Sequence, residues 1–187
     1  MSRVLYLGVF ASMFAGQAVF AGDASIFGYP LGGKISPPVK QCPSNSDKSK
    51  VICWIEKPRI AKDGVRSGHL HLPNPDSRPS WAAFVGFQAE ISNSGILEVL
   101  HVRTNKGYAD KIDIQNSITS RFGLPESTNI FNRGTVSATW DTNEAYIHMI
   151  CNDDKECFVE FRSLYSQKER IKAHAAQDLI ESKRPKF

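Results

Sequence analysis

Short runs in which apolar and β-branched residues alternate with polar ones fill much of the chain beyond its first third. This period of two is typical of strands that bury one face of a sheet. The run from Ile96 to Arg103 is apolar on both faces, which indicates an interior strand. The pattern predicts strands over Val51–Ile55, Val65–Leu72, Phe84–Ile91, Ile96–Arg103, Val136–Trp140, Ala145–Cys151 and Cys157–Leu164.

The last two of these strands have a defined register if Cys151 faces Cys157. Four further cross-strand pairs then follow: Met149–Val159 and Ile147–Phe161 on one face, and His148–Glu160 and Tyr146–Arg162 on the other. Apolar pairs on one side and complementary polar pairs on the other are what a correct register produces, so the pattern supports both the hairpin and the disulfide.

Two segments have helical periodicity. Ile114 and Ile118 begin a four-residue repeat that ends at Phe122, with Asp110 as a suitable N-cap and Gly123 as a stop. The spacing predicts a helix over residues 110–122 with one face in the core.

A second helix is predicted near the C-terminus. Ser166 and Glu169 form a capping box, and Pro185 ends the segment. The apolar stripe is narrow, which indicates a helix lying on the surface of the sheet. The residues of this stripe are Ile171, Ala175 and Leu179.

These elements follow the order β-β-α-β-β-β-α after an irregular, Gly- and Pro-rich N-terminal third. We therefore predict an α+β fold whose antiparallel sheet has about five to seven strands, with one central helix, a C-terminal surface helix and two disulfides.

The N-terminus has the features of a secretion signal. Arg3 precedes an apolar run, and Val19-Phe20-Ala21 ends in a small residue suited to cleavage. The apolar run is shorter than the roughly 20 residues that span a bilayer, which favours a cleaved signal over an uncleaved anchor. We predict that residues 1–21 are removed and that residues 22–187 form a single domain in the periplasm or outside the cell. The absence of any Asn-x-Ser/Thr sequon favours a Gram-negative bacterium.

The four cysteines all follow the predicted signal. An even number in an exported chain indicates two disulfides, for which three pairings are open. We favour Cys42–Cys53 with Cys151–Cys157, because each pair flanks one short connection. The alternative, a four-cysteine zinc site, lacks the Cys-x-x-Cys spacing that is typical of such sites.

Charge and motifs narrow the classes of function. The net charge is +4 and the charged residues are interspersed, so nucleic acid is not predicted as a partner. The sequence has no Gly-x-Ser-x-Gly, His-Glu-x-x-His or phosphate-loop motif. A hydrolase whose catalytic residues are scattered along the chain remains an alternative, because a triad needs no neighbouring positions.

Histidines supply the candidate metal site. His69 and His71 are two apart on a predicted strand and share a face, so they are candidates to bind zinc or copper, given a further ligand such as His101, His148 or Asp76. The alternative is a pair of half-exposed strand histidines. His148 and Glu160 are an acid–base pair or, more simply, a surface cross-strand pair.

A basic, aromatic loop from Lys57 to Trp81 is the candidate partner-binding surface, because Arg and Trp anchor protein interfaces. Its predicted contact residues are Arg59, Arg66, Arg78 and Trp81. The leading hypothesis is a non-enzymatic module that binds another periplasmic or secreted protein in an inhibitor or immunity-like role. The alternatives are a metal- or small-ligand-binding protein that uses His69 and His71, and the hydrolase.

Some short stretches resemble small exported proteins of Gram-negative bacteria. They are Phe27-Gly28-Tyr29-Pro30-Leu31-Gly32, Gln41-Cys42-Pro43 and Ser120-Arg121-Phe122-Gly123-Leu124-Pro125. The resemblance implies no activity and no residue roles.

Overall fold

A computed structural model describes residues 24–36, 38–44, 50–73, 79–82, 85–104, 110–131, 134–153 and 156–182. The predicted signal, residues 1–21, and the predicted contact residue Arg78 lie outside these ranges. No helix in the described residues is long and apolar enough to cross a bilayer.

Most of the described chain belongs to one large sheet. Its order is β3-β4-β6-β7-β8-β12-β11-β10-β9, with β5 paired to β6, while β1 and β2 form a separate hairpin. Every pair is antiparallel except β3–β4. The elements are β1 Ser25–Ile26, β2 Tyr29–Pro30, β3 Lys40–Gln41, β4 Cys53–Trp54, β5 Arg59–Ile60, β6 Arg66–His71, β7 Val85–Ile91, β8 Leu97–Thr104, α1 Lys111–Phe122, β9 Ser127–Ile130, β10 Val136–Asp141, β11 Ala145–Cys151, β12 Cys157–Ser163 and α2 Leu164–Ser182.

The α+β class is confirmed, but the sheet is larger than predicted. It has ten strands in the described residues, against the expected five to seven or so. The unexpected strands are β3, β5 and β9, which have two, two and four residues. Strands this short do not complete enough of a period-two pattern to be recognised in the sequence.

One face of the sheet forms the core. Cross-strand pairing places apolar side chains from five adjacent strands in one row, and each is at most 4 % exposed. This is the expected consequence of alternation, because every second residue of each strand points to the same side. The row contains Phe87, Val102, Val159, Met149 and Ala138.

The register of the last hairpin, β11–β12, is as predicted. Cys151 faces Cys157, Met149 faces Val159, Ile147 faces Phe161, His148 faces Glu160 and Tyr146 faces Arg162. Both predicted disulfides, Cys42–Cys53 and Cys151–Cys157, are present.

Helix α1 is also confirmed. Asp110 Oδ1 accepts a hydrogen bond from the Ile112 N–H at 2.8 Å, as an N-cap should. Ile114 and Ile118 are buried in the core. The helix ends at Gly123, whose φ of 85° is a left-handed conformation that a residue with a side chain rarely adopts.

The Gly- and Pro-rich opening, predicted to be irregular, forms the β1–β2 hairpin. At its turn the buried Phe27 ring makes edge-on contacts with Trp81, Phe87 and Phe161 at centroid distances of 5.6–6.0 Å. The hairpin therefore covers part of the core face, and the Trp81 ring packs in the core beside Phe27.

Helix α2 differs from the prediction in two ways. It begins at Leu164, and its N-cap is Ser163, whose Oγ accepts a hydrogen bond from the Ser166 N–H at 3.1 Å. Ser166 is thus inside the first turn and is not the cap. The helix lies over β8, β11 and β12, as predicted, but the predicted apolar stripe, Ile171, Ala175 and Leu179, is exposed and not buried against the sheet.

Candidate functional site

The face of the sheet opposite the core, here called the open face, carries polar side chains on interior strands. Cross-strand pairing aligns one such residue from each of five adjacent strands, β6, β7, β8, β12 and β11. These positions alternate with the buried ones, so the same period of two that builds the core also builds a polar surface. The aligned residues are His69, Gln88, His101, Glu160 and His148.

Glu160, which lies between His101 and His148 in this row, binds two arginines. Its Oε1 accepts hydrogen bonds from Arg162 Nε at 2.8 Å and from Arg170 Nη1 at 3.3 Å. Its Oε2 lies 3.6 Å from His101 Nδ1. The side chains of Glu160 and Arg162 are only 11 % and 12 % exposed. Because Arg170 belongs to α2, this ion pair fastens the helix to the open face.

His69 is held by hydrogen bonds on both sides of its ring. Gln88 Nε2 lies 2.8 Å from His69 Nε2, and Glu56 Oε1 lies 2.6 Å from His69 Nδ1. An amide nitrogen only donates, so His69 Nε2 accepts and His69 Nδ1–H donates to the Glu56 carboxylate. These two hydrogen bonds fix the orientation of the imidazole ring.

Beside this row the open face contains a depression of about 640 Å³, here called the trough. A second depression of about 410 Å³ adjoins it and shares His69, Gln88 and His101. The floor is low at Gly86, where an added Cβ would meet no atom within 4 Å. The trough is lined by His69, Gly86, Gln88, His101, Arg103, Ile150, Asn152, Glu156 and Phe158.

The walls of the trough combine an aromatic ring with paired polar groups. The Phe158 ring stacks on His101 with centroids 5.2 Å apart and planes at 30°, and Phe158 is 37 % exposed. Arg103 Nε donates to Glu156 Oε1 at 2.7 Å. A flat apolar surface with a few oriented polar groups is the usual composition of a ligand site.

Glu90 lies two residues after Gln88 on the same face of β7, and the groups around it lower the pKa of its carboxyl. The His101 imidazole, whose Nε2 is 3.9 Å from Glu90 Oε1, is the largest cause that lowers the pKa of this carboxyl, and Arg162 and Arg170 add to it against the opposing effect of burial. Glu90 therefore stays ionised at neutral pH beside the smaller depression.

His148 leads to a prediction about pH. Burial lowers its pKa below the ordinary 6.5, and Arg170 adds to the shift while Glu160 opposes it. Below pH 6.5 the unfolded chain takes up a proton at this residue before the folded protein does. The free energy of unfolding should therefore fall as the pH is lowered through this range. His148 Nε2 lies 3.1 Å from Ser137 Oγ, and His148→Gln keeps a group able to make this hydrogen bond. The free energy of unfolding of this variant should fall less steeply.

Urea denaturation of both proteins at pH values from about 7.5 to about 5.5, an interval that spans the ordinary pKa of histidine, measures this difference. Parallel stability curves for the wild-type protein and His148→Gln would contradict the assignment, because all other titrating groups are common to the two.

The predicted contact residues do not form one surface. Trp81 is 8 % exposed and lies in the core, so its ring is not presented to a partner. Arg59 lines the smaller depression on the open face, whereas Arg66 lines a separate depression with Trp54 and Ile91. Arg78 lies outside the described residues.

The two candidate metal ligands lie on β6 as predicted, and His71 pairs with Cys53. No group of three or more His, Cys, Asp or Glu side chains in the described ranges is placed to hold a metal ion. Both ring nitrogens of His69 already have a partner, so zinc or copper would have to displace Glu56 or Gln88.

Sequence reasoning missed most of the trough. The sequence pattern assigns no role to Gln88, Arg103, Glu156 or Phe158, and it offers His101 only as a metal ligand. The available signal is on β8, where His101 and Arg103, two residues apart, are polar positions on one face of a strand predicted to be interior. Comparison of the chain with protein-family models, curated proteins and solved structures gives no match.

Proposed function

We propose that the protein is a non-enzymatic binding module of the periplasm or extracellular space, and that it holds its ligand in the trough. The observation that carries this proposal is the trough itself, in which polar groups oriented by mutual hydrogen bonds surround an exposed aromatic ring. Such preorganisation reduces the entropy lost when a ligand binds. Two disulfides suit an oxidising compartment outside the cytoplasm.

The pairing of His69 and of Glu160 favours a binding role over a catalytic one for these two groups. A general base needs a free lone pair directed at the substrate. The lone pair of His69 Nε2 is occupied by Gln88, and the Glu160 carboxylate is bonded by two arginines. These groups are arranged to hold one another in place.

The geometry also favours a ligand in the trough over a protein partner on the loop from Lys57 to Trp81. Trp81 is buried, and Arg59 and Arg66 line different depressions. The alternative ligand is a protein that presents a polar segment to the open face. Peptides are among the probes for that reason.

Gly86→Leu should block binding without harming the fold. Gly86 has an ordinary strand conformation and faces open space, so a leucine side chain would project into the trough without strain. We expect the melting temperature to be unchanged or slightly higher, because glycine weakens a strand interior. Binding should be lost for any probe that occupies the trough.

The full chain is expressed, and the purified protein is titrated with neutral hexasaccharides, with hexapeptides and with nucleotides. Binding in the trough shifts the amide resonances of Gln88, His101 and Phe158, and Gly86→Leu removes those shifts. Asn129→Leu is the matched control, because it places the same side chain on the exposed strand β9, away from the trough. The proposal fails if no probe shifts these resonances, or if Gly86→Leu binds as well as Asn129→Leu does.

A further inference from the structure

We infer that the ligand of the trough is a neutral saccharide chain, an inference that rests on the trough being the binding site. The first step is charge. In the described residues, the charged side chains that line the trough are Arg103 and Glu156, which have opposite sign and bond each other. A site without net charge gives no electrostatic advantage to an anion or a cation, so the matching ligand is neutral.

The second step is the kind of polar group. Gln88, Asn152 and the hydrogen-bonded Arg103–Glu156 pair contribute planar donors and acceptors to the lining of the trough. A hydroxyl group donates once and accepts twice, so a ligand rich in hydroxyls can bond both members of such adjacent pairs. A neutral polyhydroxylated ligand therefore satisfies these groups without separating the existing pairs.

The third step is the aromatic ring. His101 stacks on one side of Phe158, which is 37 % exposed and lines the trough. The face of an aromatic ring is electron-rich and attracts weakly positive hydrogens. The C–H groups on one face of a pyranose ring provide such hydrogens, so a sugar can lie flat on Phe158 while its hydroxyls reach the polar walls.

The fourth step separates a saccharide from an extended peptide. Peptides bound through their main chain add a strand to a free sheet edge. The strand residues that line the trough belong to β6, β7, β8, β11 and β12, each of which is paired on both sides. Their backbone groups are used within the sheet, so the ligand is recognised by side chains alone, as a saccharide is.

Cellohexaose, chitohexaose and maltohexaose are the probes, and titration calorimetry with amide chemical shifts is the measurement. We expect at least one of them to bind in the trough, with an affinity that hardly changes between low and high salt because the ligand is neutral. Phe158→Leu keeps an apolar side chain on this exposed position but removes the ring, and should weaken binding about tenfold. Phe158→Trp should retain binding.

Three other outcomes would contradict the saccharide inference, the proposed binding function or both. If hexapeptides or nucleotides shift the trough resonances and the hexasaccharides do not, the saccharide inference is wrong and the proposed binding function stands. If no probe shifts them, both are wrong. If a hexasaccharide binds equally well to Phe158→Leu and the wild-type protein, the stacking platform is misassigned and the inference is overturned.

Discussion

Replacing Trp140 by alanine is expected to lower the free energy of unfolding by about 3–5 kcal/mol, the range for a large aromatic side chain removed from a packed core. Trp140 is fully buried, between the sheet and the C-terminal end of α1. Its Nε1 donates a hydrogen bond to the Gly123 carbonyl oxygen at 3.0 Å. The substitution therefore removes packing and leaves a helix-terminal acceptor without its partner.

Trp140→Phe separates the two contributions. Phenylalanine keeps much of the ring but cannot donate, so the loss should be smaller, about 1–3 kcal/mol. Ile130→Ala is the control, since Ile130 is 77 % exposed and its truncation should cost little. Equilibrium denaturation measures all three. A loss below about 2 kcal/mol for Trp140→Ala would mean that the side chains around Trp140 are not tightly packed.

The sequence predicts well those parts of the fold whose determinants are local. The β11–β12 register follows from Cys151 and Cys157 combined with simple alternation, and α1 follows from Asp110, its four-residue apolar repeat and Gly123. In each case the residues that define the element lie within it. The edge strand β9 has no such signature, because Ser127–Ile130 is exposed throughout and carries no buried alternate positions.

The trough depends on contacts between distant parts of the chain, which explains why it was missed. Arg103 and Phe158 face each other only because β8 pairs with β12, and alternation within one strand does not reveal its neighbour. The same reason accounts for Trp81. A tryptophan beside a proline-rich stretch has the sequence features of an exposed anchor, and only the return of the β1–β2 hairpin, through Phe27, places it in the core.

Helix α2 illustrates how polar contacts can attach an element whose apolar stripe is exposed. Ser166 Oγ accepts a hydrogen bond from Arg162 Nη1 at 3.0 Å, and Arg170 bonds Glu160. Residues 168–179 are exposed, so the first two turns supply most of the attachment. The position of α2 on the open face thus depends on Glu160 and the two arginines that it binds.

Glu160→Ala should therefore destabilise the protein by about 2–4 kcal/mol, because it leaves the nearly buried guanidinium of Arg162 without its carboxylate. Glu156→Ala is the matched control. It removes the same side chain from another glutamate–arginine pair, but Arg103 is 72 % exposed, so the loss should be below about 1 kcal/mol. Hydrogen exchange should show faster exchange in the first turns of α2 for Glu160→Ala alone.

The double variant Glu160→Leu with Arg162→Leu tests whether the loss comes from an unpaired charge or from missing attachment. Replacing both partners removes the uncompensated charge, so much of the stability should return. Exchange at the start of α2 should remain fast, because Arg170 and Ser166 still lack their partners on the sheet. If Glu160→Ala instead loses no more stability than Glu156→Ala, the ion pairs at Glu160 contribute no more than a surface salt bridge, and the start of α2 is fixed by other contacts, such as the side-chain cap at Ser163.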